Sequence, residues 1–153
     1  GPSEYLDKLK TLDGWKKVRY LGRIPHDEVQ DVYNQSMIGM TLLSNNTQVG
    51  DEGTLGNTKI FEFMEAGLPV ICSNNKIWNE ITKSYDCGIA ISPDNINEIT
   101  KAINFIISNQ EKAISMGQKG RQAALENFNW ESQEKKLVEL YHKLMEQGIK
   151  GKT

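Results

Sequence analysis

Residues 57–71 constrain the fold more tightly than any other stretch of the chain. Asn57 and Thr58 open a polar turn, and Lys59-Ile60-Phe61-Glu62-Phe63-Met64-Glu65-Ala66 follow with helical character, Lys59 and Glu62 sitting one turn apart. Gly67 stops the helix, and Pro69-Val70-Ile71-Cys72 form a short apolar run. A helix closed by glycine and followed at once by a wholly apolar strand is half of a β-α repeat. A strand apolar on both faces has to be covered on both. Residues 37–43 and Gly88-Ile89-Ala90-Ile91 supply two more such runs, separated by amphipathic segments. The pattern predicts an α/β fold with a Rossmann-like parallel sheet flanked by helices.

The remaining segments fit that frame. Residues 4–12 read as a short helix with Tyr5, Leu6, Leu9 and Leu12 on one side. Val18-Arg19-Tyr20-Leu21 is a strand candidate ended by Gly22. Pro25 precedes a helix whose first turn carries Asp27 and Glu28, where negative charge complements the dipole, and whose apolar stripe is Val29, Val32 and Tyr33. A short helix is expected over 77–84. Ile96, Ile99, Ile103 and Ile106 recur at helical spacing, a further helix covers 112–126, and the last buries Leu137, Leu140, Tyr141 and Leu144. A length of 153 residues suits one domain, taken as residues 1–153 with a flexible tail over 148–153.

Composition excludes several function classes. The formal net charge of -2 supplies no positive field for nucleic acid or an anionic membrane. Cys72 and Cys87 are the only cysteines; both adjoin apolar runs, which favours buried thiols in a reducing compartment. His26 and His142 lie far apart without ligand spacing, so no zinc site is expected. No apolar run approaches a membrane span and no signal peptide is visible, so the expected location is cytoplasmic, with the full-length protein at the periphery of the inner membrane as a variant of that reading.

The candidate chemistry gathers at the start of the 59–66 helix. Thr58 is the expected N-cap, its hydroxyl accepting from an orphan amide. The remaining amides and the dipole there suit an anion, with Lys59 adding a point charge. Gly53 and Gly56 let the backbone approach a ligand. Glu62 shares a face with Lys59 and suits a bidentate pair of hydrogen bonds from vicinal hydroxyls. Such sites lie beyond the carboxyl ends of parallel strands, where the long polar segment 44–57 also runs. The same residues equally suit a surface ion pair worth under ~1 kcal/mol on a capped helix that binds nothing.

Lys59-Ile60-Phe61-Glu62-Phe63-Met64-Glu65-Ala66-Gly67-Leu68-Pro69-Val70-Ile71 resembles the K-x-F-E-Y-M-x-A-G-x-P-V-I signature of GT-B glycosyltransferases of the family 4 type. In the same order along the chain, Val18-Arg19-Tyr20-Leu21-Gly22 resembles that family's V-x-F-L-G strand. Gly88-Ile89-Ala90-Ile91 resembles its G-L-L-V strand, and Phe128-Asn129-Trp130 its F-S-W element. The resemblance implies the carboxyl-terminal, donor-binding half of a GT-B fold in a retaining glycosyltransferase. Such an enzyme moves a sugar from a nucleotide diphosphate sugar to a glycan or lipid-linked acceptor, as in polysaccharide biosynthesis. It further implies that Glu62 holds the ribose hydroxyls. Gly56, Asn57 and Thr58 would meet the diphosphate beside Lys59, and Arg23 and Ile24 would lie against the base. GT-B members need no bound metal, and no cofactor beyond the donor is implied.

Two departures stand out. Many relatives carry a glutamate near the donor sugar where this chain has Thr54; Asp51 and Glu52 lie just upstream, and Glu52 is a weak substitute candidate. The family's donor domain also opens with two β-α units that nothing before Val18 matches. Gly1-Pro2-Ser3-Glu4-Tyr5-Leu6 resembles the G-P-x-x-x-L after the second of them, unless Gly1-Pro2-Ser3 is a tag remnant. The expectation is a donor-binding portion that is inactive by itself, its acceptor site supplied by another domain. Two rivals share the fold: a non-catalytic nucleotide-binding or interaction module, and a sugar-nucleotide epimerase, which would need acid–base side chains that two histidines hardly provide. Of Trp15, Trp78 and Trp130, core or helix-packing roles are favoured, with Trp78 the one candidate for stacking on a sugar. Missing central strands would leave sheet edge and apolar surface exposed. Light scattering is therefore expected to show self-association; a clean monomer would count against it.

Overall fold

The computed structural model describes residues 3–44 and 51–150, without the side chains of residue 3 and residues 147–150. In chain order, α1 spans Ser3–Lys10 and a short 3₁₀ turn Asp13–Lys17; α2 spans His26–Asn34, β1 Gly39–Thr41, α3 Lys59–Glu65 and β2 Val70–Ser73. They are followed by α4 (Lys76–Tyr85), β3 (Gly88–Ile91), α5 (Ile96–Ser108), α6 (Gln110–Asn127) and α7 (Trp130–Lys150). The sheet has the order β1-β2-β3 and is parallel throughout, with Gly39 opposite Val70 and Val70 opposite Gly88. The α/β, Rossmann-like architecture expected from the apolar runs is the one observed.

All four residues of β2 are buried, and their alternation divides the core. Val70 and Cys72 face Ile60 and Met64 of α3, Trp78 and Ile81 of α4, and Ala123 and Ala124 of α6. Ile71 faces the other way, toward Ile91 and toward Ala102 and Ile106 of α5. Each large side chain removed from water here contributes ~1.5–3 kcal/mol. Both thiols are free and buried, as expected, and burial pushes Cys72 up to about 12 and Cys87 up to about 11. Neither is a thiolate at neutral pH.

Gly67 turns the chain from α3 into β2. At φ +74° it occupies the left-handed region, while its amide donates to the Met64 carbonyl at 2.9 Å and the Leu68 amide to that of Phe63 at 3.0 Å. This is a Schellman closure, which places Leu68 and Pro69 directly at the start of the strand. On the same side α6 presents Gly117, Gly120, Ala123 and Ala124, a small-residue face that lets it lie close to α3.

Two expectations are overturned. Residues 18–21 form no strand; Val18, Tyr20 and Leu21 are exposed, and the closest organisation is Trp15 tilted against Tyr20 at 5.6 Å. An extended segment needs a hydrogen-bonding neighbour, and the described sheet places none beside it. The final helix is not core either: Leu137, Leu140, Tyr141 and Leu144 are all exposed. Helix α7 continues to Lys150, and residues 151–153 of the expected tail lie outside the described residues.

A Cβ at Gly117 would stand 2.0 Å from the Gly67 carbonyl oxygen, backbone that cannot move without opening the Schellman turn. Gly117→Ala is expected to cost about 1–3 kcal/mol by forcing α6 away from α3. A lower urea midpoint at unchanged slope would show it. Gly14→Ala, which meets nothing within 4 Å, is the near-neutral control.

Candidate functional site

Helix α3 runs back from the carboxyl end of the sheet, so its first residues and the segment before them lie where parallel sheets bind ligands. The Phe61 and Glu62 amides both donate to the Thr58 carbonyl at 3.0 Å, which starts the helix. Thr58 is not the side-chain cap expected from the sequence. Its backbone is already helical (φ -71°, ψ -16°), and its hydroxyl points along the helix to donate to Glu62 Oε1 at 2.9 Å. Asn57 provides the side-chain acceptor instead: its Oδ1 takes the Lys59 amide at 3.2 Å.

Glu62 is the centre of the cluster. Lys59 Nζ donates to Oε2 at 2.8 Å, and the Tyr33 hydroxyl, brought in by α2, donates to the same oxygen at 2.8 Å. The Glu62 side chain is 28% exposed and that of Lys59 54%. Burial pushes the Glu62 carboxyl up, but the hydrogen bonds from Lys59, Tyr33 and Thr58 together outweigh it and hold the group below the ordinary 4.5. Lys59 is raised, chiefly by its bond to Glu62. Tyr33 is raised by burial and then by the neighbouring carboxylate. The free protein therefore carries an anionic Glu62 and a cationic Lys59 at neutral pH.

The segment before α3 is tied to α4. The Lys76 and Ile77 amides donate to the carbonyls of Asp51 and Glu52 at 3.0 Å, and the Trp78 indole donates to the Thr54 carbonyl at 3.0 Å. Thr54 Oγ1 accepts from the Gly56 amide at 2.9 Å, shaping the turn itself. Gly53, at φ +83°, lies so close to Asn75 that a Cβ would meet its Oδ1 at 2.1 Å. Trp78 is fully buried, so it serves as the anchor of this loop and not as a stacking surface for a sugar. The Glu52 carboxylate pairs with Lys76 at 3.2 Å, which turns it toward α4. Residues 45–50, the middle of the expected 44–57 loop, lie outside the described residues.

Arg23 is exposed and Ile24 half-buried, both just before α2. The structure joins neither to the Glu62 cluster by a described hydrogen bond or ion pair. Sequence reasoning placed Tyr33 only in an apolar stripe and so missed its part in the cluster. A signal was available, because a half-buried tyrosine needs a partner for its hydroxyl. Thr58 and Glu62 also line a cavity of about 370 Å³ with Phe61, Glu65, Phe128 and Trp130. Trp130, expected to pack, is 66% exposed at its rim. A more apolar cavity of about 360 Å³ lies at the opposite end of the sheet, beside Met37, Leu68, Pro69 and Ile114, and no titratable side chain lines it. Chemistry favours the Glu62 side.

Among the described residues, no group of three or more His, Cys, Asp or Glu could hold a metal ion, and no helix is long and apolar enough to cross a membrane.

A family model described as glycosyl transferases group 1 matches residues 2–123. The chain is 32% identical over 84 residues to spore coat protein SA of Bacillus subtilis, covering 54% of this chain and 22% of that protein. It is 25% identical over 83 residues to MMP alpha-(1->4)-mannosyltransferase of Mycolicibacterium hassiacum, covering 54% of this chain and 20% of that enzyme. The chain thus spans about a fifth of the length of these curated relatives. A solved structure of sucrose-phosphate synthase from Thermosynechococcus elongatus superposes with a TM-score of 0.73, covering 94% of this chain and 34% of that one. At 23% identity the superposition speaks for the fold.

The depressed carboxyl of Glu62 has a consequence for stability. Its folded-state value lies below its unfolded value, so the stabilisation is present above about pH 4.5 and is lost as pH falls through the folded value. Glu62→Gln is expected to flatten this part of the acid limb of stability in urea melts repeated from pH 6 downward. An unchanged acid limb would show that the cluster does not form in solution.

Proposed function

The chain belongs to the group 1 glycosyl transferases, and on that footing we propose that the Glu62 cluster is the donor-binding site of a retaining enzyme using a nucleotide diphosphate sugar. The observation that carries the reading is the anionic, half-buried Glu62 with Lys59 at 2.8 Å and Thr58 at 2.9 Å, at the mouth of a loop next to the carboxyl end of the sheet.

Each residue then has a physical task. Glu62 accepts hydrogen bonds from the two ribose hydroxyls; charge-assisted bonds of this kind are about twice as strong as neutral ones. Lys59 exchanges Glu62 for the diphosphate, which offers it a larger negative charge. The amides of Asn57 and Thr58 line the approach of the same group, and Gly56, whose own amide is turned to Thr54 Oγ1 and which lacks a side chain, admits it closely. Arg23 and Ile24 lie against the base. Thr54, held by its bonds to Gly56 and Trp78, takes the position beside the donor sugar at which many relatives carry a glutamate.

The reaction this supports is glycosyl transfer helped by electrostatic stabilisation of the departing diphosphate. Lys59 and the backbone amides supply that stabilisation, without a metal ion. The acceptor, a glycan or lipid-linked glycan of a polysaccharide pathway, is met through a further domain, in the cytoplasm or at the inner face of a membrane. One relative is named a mannosyltransferase, which supports hexosyl transfer as the class of chemistry.

Calorimetric titration with UDP, GDP and ADP tests the proposal. One nucleotide is expected to bind saturably, with Glu62→Ala weakening it ~10-fold or more through loss of the charged hydrogen bonds. Equal affinity in the variant would leave a nucleotide-binding module in which Glu62 plays no part.

A further inference from the structure

The three side chains that donate to Glu62 are not equivalent. Lys59 and Thr58 are exposed and belong to the turn that the diphosphate would approach. Tyr33 comes from a different helix, and its ring is held in place. It packs edge-on against Phe63, with centroids 5.4 Å apart and planes at 75°. Phe63 in turn lies so close to β1 that a Cβ on Gly39 would stand 2.3 Å from its Cγ. A line of packed groups thus runs from the glycine of β1 through two aromatic rings to the Glu62 carboxylate.

Counting acceptor positions sharpens the contrast. A carboxylate has two oxygens and roughly four lone-pair sites. In the free protein Oε2 accepts from both Tyr33 and Lys59, and Oε1 from Thr58. A vicinal diol that places one hydroxyl on each oxygen needs a place on Oε2, which is already full. Lys59, on a flexible stem, is the donor able to leave; the Tyr33 hydroxyl also interacts with Lys59, but its ring is fixed against Phe63 and keeps the hydroxyl on the carboxylate. We propose that Tyr33 is the positioning residue of this site, holding Glu62 in its ligand-ready orientation when Lys59 and Thr58 transfer to the diphosphate. The inference rests on the donor-site reading and adds to it a role carried by α2. The groups facing the carboxylate are Tyr33 from α2, Lys59 from α3 and Thr58 before it, with Glu65 lining the same cavity.

Tyr33→Phe keeps the ring and its contact with Phe63 and removes only the hydroxyl. Two measurements on the whole chain test the role. The first is a carboxyl-carbon NMR titration of Glu62 without ligand, in which the midpoint is expected to rise in Tyr33→Phe; an unmoved midpoint overturns the proposal. The second is binding of UDP, GDP and ADP and of their nucleosides to wild type, Tyr33→Phe and Lys59→Met. Loss of Tyr33 is expected to weaken nucleoside and diphosphate by the same factor, roughly 5- to 10-fold, because it acts through the ribose. Loss of Lys59 should weaken the diphosphate far more than the nucleoside. If wild type binds and Tyr33→Phe binds equally well, the positioning role falls and the donor site stands. If wild type binds none of these ligands, the donor-site reading falls and takes the positioning role with it.

Discussion

Burial of β2 on both faces is the constraint from which the rest of the structure follows. Its four side chains are excluded from water, so helices must cover each side of the sheet, and neighbouring strands must satisfy the backbone along both edges. Helices α3, α4 and α6 meet Val70 and Cys72, and α5 meets Ile71. Ser73, the last residue of the strand, extends the arrangement: its hydroxyl accepts from the Leu43 amide at 2.7 Å and donates to the Leu43 carbonyl at 2.9 Å. The exits of β1 and β2 are thereby locked together beside the loop that leads to α3. A core of apolar contacts thus fixes where the polar residues of the site can be.

Within that frame the site is electrostatically closed in the free protein. Glu62 and Lys59 satisfy one another, and Tyr33 and Thr58 complete the shell of the carboxylate. A partly exposed pair of this kind contributes little to stability. What the cluster does fix is orientation: both charges are partly desolvated and held in place by the hydrogen bonds they share. The loop is prepared in the same manner, with its carbonyls capping α4 and its Thr54 carbonyl held by the buried Trp78. For the donor proposed above, preorganisation of this sort would lower the entropic cost of binding.

Other parts of the molecule are less self-sufficient. Helix α7 carries Val138, Leu140, Tyr141, Leu144 and Met145 on exposed positions, and Val18, Tyr20 and Leu21 are exposed ahead of α2. Asp86 shows the contrast with a surface that is finished: at a left-handed φ of 46° it ends α4 and draws Lys112 and Lys119 of α6 to within 2.8 Å, which closes that corner of the fold. Hydrogen bonds from the two lysines hold its carboxyl below the usual range.

The sequence by itself determined the α/β class, the three apolar strands, the placing of most helices, the buried thiols and the Lys59–Glu62 pair. Each of these follows from helical periodicity, from continuous apolar runs, or from residues three or four apart, all of which are local signals. Residues 18–21 misled because apolar alternation states a preference for extension, while pairing depends on a neighbouring strand. The tertiary structure decided what depended on distance along the chain. Tyr33 reaches Glu62 across 29 residues, which no helical or strand period relates. Asn57 and not Thr58 caps α3 because the turn gives Thr58 helical dihedrals and leaves its hydroxyl for Glu62. Trp78 is committed to the core because α4 packs against β2, with the Thr54 carbonyl of the loop accepting from the indole N–H. Side-chain chemistry could propose these partners, but only the packing of α2, α3 and α4 on the sheet could choose among them.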